Sequence, residues 1–206
     1  MTKRNKFLKQ GAQLKPERPM SSLTTPTPWT PLSDTTWAAL QPHLPTLFPQ
    51  GRRTPDLRAR MDAIFHLAHH PGTPWKNLPE RFGRPDTVAR FFRRLTHAGF
   101  WHRLLKELAS NPPNHPLRAL EKAITRATRR AARLGGLHLL VLIRRLGLRS
   151  ALNAPPWLLP DPALAETLHR IPVTPQAAPE LLKALRHLHR ATLGRARIPR
   201  SVRLAW

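Results

Sequence analysis

Trp75-Lys-Asn-Leu-Pro-Glu-Arg-Phe-Gly83 and then, past Arg84-Pro85, Asp86-Thr-Val-Ala-Arg-Phe-Phe-Arg-Arg-Leu95 decide how this chain folds. The first segment reads as a short helix, Phe82–Asp86 as a tight break, and the second segment as a longer helix running to His97. On a wheel advancing about 100° per residue, Val88, Phe91, Phe92 and Leu95 share one face. Thr87, Arg90, Arg94 and His97, spaced i, i+3, i+7 and i+10, share the opposite side, with Arg93 at its margin. An apolar face that docks and a basic face that meets phosphates are what a recognition helix needs. A solvated charged face is the plain alternative, and this helix by itself does not choose between them.

The surrounding sequence supplies more short helices. Ser33 can cap a helix with Asp34 in its first turn, where a negative charge suits the helix dipole. Trp37, Leu40 and Leu44 then face inward, and Pro42 and Pro45 keep that element short. A second helix begins around Thr54-Pro55-Asp56, with Thr54 as cap and Pro55 in the first helical position. Leu57, Met61, Ile64, Phe65 and Ala68 give its apolar stripe, and Pro71-Gly72 ends it. Gly99 stops the arginine-bearing helix. Phe100, Trp101, Leu104, Leu105 and Leu108 form a further amphipathic helix up to Asn111-Pro112-Pro113.

The expected core is Trp37, Leu40, Ile64, Phe65, Trp75, Leu78, Phe82, Val88, Phe92, Leu95, Trp101 and Leu104. No strand signal occurs in this region, so the fold class expected is all-α. Residues 31–112 make a small helical domain. Residues 1–30, rich in Lys, Arg, Pro, Ser and Thr, have too few apolar side chains to bury a core and read as a disordered basic leader.

Residues 113–206 read as a basic helical region interrupted by prolines, with seventeen Lys+Arg against four Asp+Glu. Helical patterns cover Leu117–Leu134, Leu137–Leu148, Pro162–Arg170 and Ala177–Leu193, with Gly135-Gly136 as a break. Leu137–Leu146 is short and apolar enough to fit a buried strand as well. The tail from Leu193, with Arg195, Arg197, Arg200 and Arg203, reads as flexible.

Charge bounds the function classes. Thirty-five Lys+Arg against eleven Asp+Glu give a formal charge of +24 and a pI near 12. Such a chain repels itself unless it meets a polyanion, and nucleic acid is the commonest one. Arginine far outnumbers lysine, and guanidinium suits forked phosphate and guanine contacts. No cysteine is present, which excludes disulfides and cysteine-ligated zinc. The basic N-terminus lacks the apolar run of a signal peptide. Leu137–Ile143 is too short to span a bilayer, which needs about 20 residues. No membrane partner and a cytoplasmic location are the expectation.

Several landmarks in register carry a family resemblance. They are Leu32-Ser33-Asp34-x-x-Trp37-x-x-Leu40-x-Pro42-x-Leu44-Pro45, then Gly51-Arg52-x-x-x-Asp56-Leu57-Arg58, then Gly72-x-x-Trp75-x-x-Leu78-Pro79-x-x-Phe82. Thr87-Val88-x-Arg90-x-Phe92-x-Arg94-Leu95 and Gly99-x-Trp101 complete the set. Together they resemble the N-terminal, insertion-element-type domain of DDE transposases. The resemblance implies a helix-turn-helix-like module that binds double-stranded DNA at the terminal repeats of a mobile element.

In that family an RNase-H-like domain follows, where two aspartates and a glutamate hold two divalent ions such as Mg²⁺. This chain departs there. After Leu108 its acids are Glu121, Asp161, Glu166 and Glu180, with no strand run to carry them. They read as surface acids, so the expectation is no catalytic residue, no metal ligand and no cofactor. Mg²⁺ would enter only if the chain were an active transposase with unrecognised acids. General RNA or polyanion binding is the other alternative, and homodimerisation is left open.

The expected DNA contacts are Thr87, Arg90, Arg93, Arg94 and His97, with Arg52, Arg53 and Arg58 adding backbone attraction. His66 and His70, an i, i+4 pair beside His69, have metal-ligand spacing but no third ligand and read as surface histidines. His187 and His189 read likewise. Trp29 and Trp206 have the chemistry to stack on bases.

Overall fold

Ser33 starts α1 (Asp34–Leu40) by accepting a hydrogen bond from the Thr36 N–H at 3.2 Å, as its sequence position implies. The computed structural model describes residues 29–45, 56–174, 177–195 and 197–205. Contacts divide the chain into Met1–Thr30 and Pro31–Trp206. The expected leader lies outside the described residues apart from Trp29, which is half-buried, and Thr30. Trp206 also lies outside them. Among the described residues the fold is all-α, with no strand.

α2 (Leu57–His69) is capped by Asp56, whose carboxylate accepts from the Ala59 N–H at 2.8 Å. The carboxylate reaches the backbone donors directly, so Asp56 holds the capping role that the sequence assigns to Thr54. Thr54 and Pro55 themselves lie outside the described residues. Leu78-Pro79 then divides the expected short helix into two 3-10 turns, Trp75–Asn77 and Glu80–Phe82. Proline has no N–H and clashes with the preceding turn, which is why a continuous helix fails there.

α3 (Pro85–His97) follows the break, and Gly99 at φ 71° turns the chain into α4 (Phe100–Ser110). Nine of the expected core residues are buried: Leu40, Ile64, Phe65, Leu78, Val88, Phe92, Leu95, Trp101 and Leu104. Trp37, Trp75 and Phe82 are half-buried against that core.

The later region begins with the single turn α5 (Pro116–Ala119) and continues as α6 (Glu121–Arg145), 25 residues long. α6 packs on α2, α3 and α4 and contributes Ile124, Ala127, Ala131, Leu139 and Ile143 to the same core cluster. The apolar run Leu137–Leu146 is therefore helical. Gly136 interrupts α6 at φ 59°, ψ −150°, a combination that only glycine adopts readily. α7 (Pro162–His169) and α8 (Pro179–Thr192) pack on each other.

The tail, expected to be flexible, includes a helical segment. It carries α9 (Arg200–Ala205), preceded by Ile198 packed against the core. That single apolar anchor among the arginines is what the charge pattern obscures.

Candidate nucleic-acid interface

The aromatic core beneath α3 fixes which way the helix turns its charges. Phe92 lies between Trp75 and Trp101, with ring centroids 5.3 and 5.5 Å away. Trp101 donates its indole N–H to the Thr96 hydroxyl at 3.1 Å, and Thr96 donates to the Phe92 carbonyl at 2.9 Å. Val88, Phe91, Phe92 and Leu95 are each no more than 2% exposed. Once these are inward, Thr87, Arg90, Arg93 and His97 are exposed together, and Arg94 is half-buried at the edge of the face. Asp86, in the first turn, suits the helix dipole.

The structure adds a residue that the sequence does not single out. Arg60, from α2, lies over the Phe91 ring at 5.6 Å from its centroid. Burial lowers the pKa of Arg60, and repulsion from Arg94 lowers it further. Arg60 and Arg94 are therefore neighbours contributed by two helices. The apolar stripe of α2 gave no hint of this, because only the α2–α3 packing brings them together.

Arg58 has a different setting. Its guanidinium donates to the Leu32 carbonyl and pairs with Asp34 at 2.6 Å, tying the start of α1 to α2. Arg52 and Arg53 lie outside the described residues.

The other chemical candidates occupy structural positions. Glu121 pairs with Arg118 at 3.3 Å. Asp161 caps α7 through the Leu164 N–H and pairs with Arg144 at 2.9 Å. The His70 ring meets that of His66 at a tilt and that of His69 edge-on, with centroids 4.9 and 5.3 Å apart. Burial lowers the pKa of His66, followed by the charges of His70, Arg81 and His69. Among the described residues, no three His, Asp or Glu side chains come together as a group able to hold a metal ion. The acids present there do not fit the two-metal site that the resemblance implies. No helix among the described residues is long and apolar enough to cross a membrane.

The element order, the broken turn before α3 and the arginine face all fall within one matched segment. Residues 32–105 match the family described as "Putative transposase of IS4/5 family". The N-terminal helical region is thus similar to that transposase family. The match ends inside α4 and covers less than half of the 206 residues. No curated protein and no solved structure matches the chain.

Proposed function

We propose that this transposase-type region is a sequence-reading DNA-binding module, with α3 as the helix that enters the major groove. The observation that carries the reading is the α3 surface. Thr87, Arg90, Arg93 and His97 are exposed on a helix whose other side is locked into an aromatic core, and Arg94 and Arg60 flank them. Arginine forks match the paired acceptors of guanine, and threonine and histidine reach base edges or phosphates. Arg52, Arg53 and Arg58 and the basic region from 113 add attraction to the phosphate backbone. In this reading 31–112 is the reading module and 113–206 its basic support, working as a cytoplasmic protein.

The duplex site is the terminal repeat of a mobile element, and a pair of chains engages the two repeats. The chain binds DNA ends without transferring strands. It therefore needs neither a catalytic acid nor Mg²⁺.

The test is fluorescence anisotropy of the full chain against a duplex selected from a random pool and its scrambled counterpart, over a range of salt. Arg90→Ala with Arg94→Ala should cost about 1–3 kcal/mol per lost base contact on the selected duplex. That is roughly 5–150-fold in affinity per contact. The scrambled duplex should respond far less. Unchanged discrimination in a folded double variant would overturn the assignment of α3. Equal affinity for structured RNA at matched salt would instead favour general polyanion binding.

A further inference from the structure

A second concentration of arginine shares no residue with the exposed face of α3. Arg126, Arg129, Arg130 and Arg133 stand at i, i+3, i+4 and i+7 on one face of α6. Together with Arg200 and Arg203 of α9 they line a cavity of about 410 Å³. Its remaining wall is formed by the end of α2, the Pro71–Pro74 turn and Asn153, with no carboxylate among the lining residues.

Like charges on a free surface splay into water. Here half of them cannot. Arg130 donates to the Thr73 carbonyl at 2.6 Å and lies over the Trp75 ring at 4.9 Å. Arg129 donates to the Ser150 carbonyl at 2.6 Å, and Arg126 to the His69 carbonyl at 3.4 Å. Among the described residues the side chains of Arg133, Arg200 and Arg203 have no hydrogen-bond or ion-pair partner, and all three line the same space. Burial pushes Arg130 down to about 10, helped by repulsion from Arg133. Arg133 is lowered by burial and by Arg203. The volume falls within the range of about 300–1,000 Å³ typical of small-ligand pockets.

We propose that this cavity binds an anion presenting more than one phosphate group. It arises either as consecutive phosphates of a nucleic-acid strand or as a soluble polyphosphate such as a nucleoside triphosphate. Guanidinium forks match phosphate oxygens two at a time, and several convergent forks favour adjacent phosphates over a single one. The strand source rests on the DNA-binding reading of the region from 113, the soluble source does not, and neither depends on what α3 reads.

The experiment is thermal unfolding and calorimetric titration of the full chain with tripolyphosphate, a nucleoside triphosphate and a short oligothymidylate. NaCl at equal ionic strength is the control. Tripolyphosphate should raise Tm well beyond NaCl. Arg133→Gln with Arg203→Gln should weaken the anion at least tenfold while leaving the anion-free protein as stable or more stable, since repulsion is relieved. Arg200→Gln with Arg203→Gln, confined to exposed side chains of α9, provides a second variant that leaves the core untouched.

Protection by oligothymidylate that both variants lose identifies a strand as the source. Protection by the triphosphate alone identifies a soluble polyphosphate. NaCl matching every anion, or variants retaining the full shift, would overturn the site. Arg90→Ala with Arg94→Ala should keep the tripolyphosphate shift, so failure of the α3 reading and failure of this one are separable.

Discussion

Replacing Phe92 by leucine separates the two jobs assigned to α3. Phe92 is 1% exposed and touches both Trp75 and Trp101 on the docking side of the helix. Leucine keeps most of the apolar volume and removes two ring–ring contacts, each worth about 0.5–1.5 kcal/mol beyond burial. A loss of about 2 kcal/mol is expected, or roughly 4–8 °C in Tm for a unit of this size. Urea unfolding followed by tryptophan fluorescence measures it, since Trp75 and Trp101 report on the same contacts.

DNA affinity below the transition should stay within about twofold, because no exposed residue of α3 changes. Phe91→Leu makes the contrast. It removes a cation–π contact of about 0.5–1 kcal/mol and the platform beneath Arg60, so stability falls less and DNA binding more. An unshifted Tm for Phe92→Leu would refute the aromatic-core account. A large affinity loss at full folding would refute the division of α3 into a docking face and a binding face.

Three further outcomes follow from individual positions. Asp62 is 9% exposed and accepts the Leu32 N–H at 2.8 Å, and burial raises its pKa despite that bond and the nearby Arg58. The protonated form therefore adds stability below the ordinary carboxylate range, and that stability is lost as pH rises through the raised pKa. Asp62→Asn keeps the acceptor without the charge, so its stability relative to wild type should grow over that window in urea melts; a decline would contradict the burial argument. Gly194 sits at φ 67°, and a Cβ there would lie 2.6 Å from the Leu159 and Pro160 backbone. Gly194→Ala should cost about 2–5 kcal/mol and speed hydrogen exchange at the Asp161 and Arg195 amides, which pair 158–161 with 192–195. Arg144 pairs with Asp161 and donates to the Pro156 and Leu159 carbonyls, so Arg144→Met should cost about 2–4 kcal/mol, read as a lower urea midpoint.

The parts of the fold legible in the sequence are those fixed by local chemistry. Ser33, Gly99 and Gly136 act where they stand in the chain, and proline and glycine punctuation places the ends of α2, α3 and α4 within a residue or two. The two faces of α3 follow from helical period, except that Arg93, expected at the margin, is exposed and Arg94, expected on the basic face, is half-buried at its edge. What periodicity cannot give is which helix lies beside which. Arg60 joins Arg94 only through α2–α3 packing, and Arg58 turns to the Leu32 carbonyl and the Asp34 carboxylate, 26 and 24 positions away in the chain. The spacing of Arg126, Arg129, Arg130 and Arg133 was on view in the sequence, yet it reads equally well as a solvated face. The Pro71–Pro74 turn and α9 make it a cavity, and nothing local to α6 points to either.

Hydrogen bonding and charge balance are separate quantities in this molecule. With thirty-five Lys+Arg against eleven acids, pairing by carboxylates cannot be general. Instead Arg103, Arg126, Arg129 and Arg130 donate to main-chain carbonyls, as do the ion-paired Arg58, Arg118 and Arg144. A carbonyl satisfies the N–H donors and leaves the positive charge uncancelled, so self-repulsion persists in the folded chain. Any polyanion that binds the folded form relieves it, whether it lies over α3 or in the α6 cavity, and net charge alone cannot tell these sites apart. Positioning can. The Thr73 carbonyl and the Trp75 ring hold Arg130 in place, and the Phe91 ring supports Arg60 beside Arg94. A lysine ammonium lacks the planar fork that spends one edge on a carbonyl, stacks on a ring and still offers donors to a ligand. The preference for arginine is thus what converts an excess of charge into oriented donor groups.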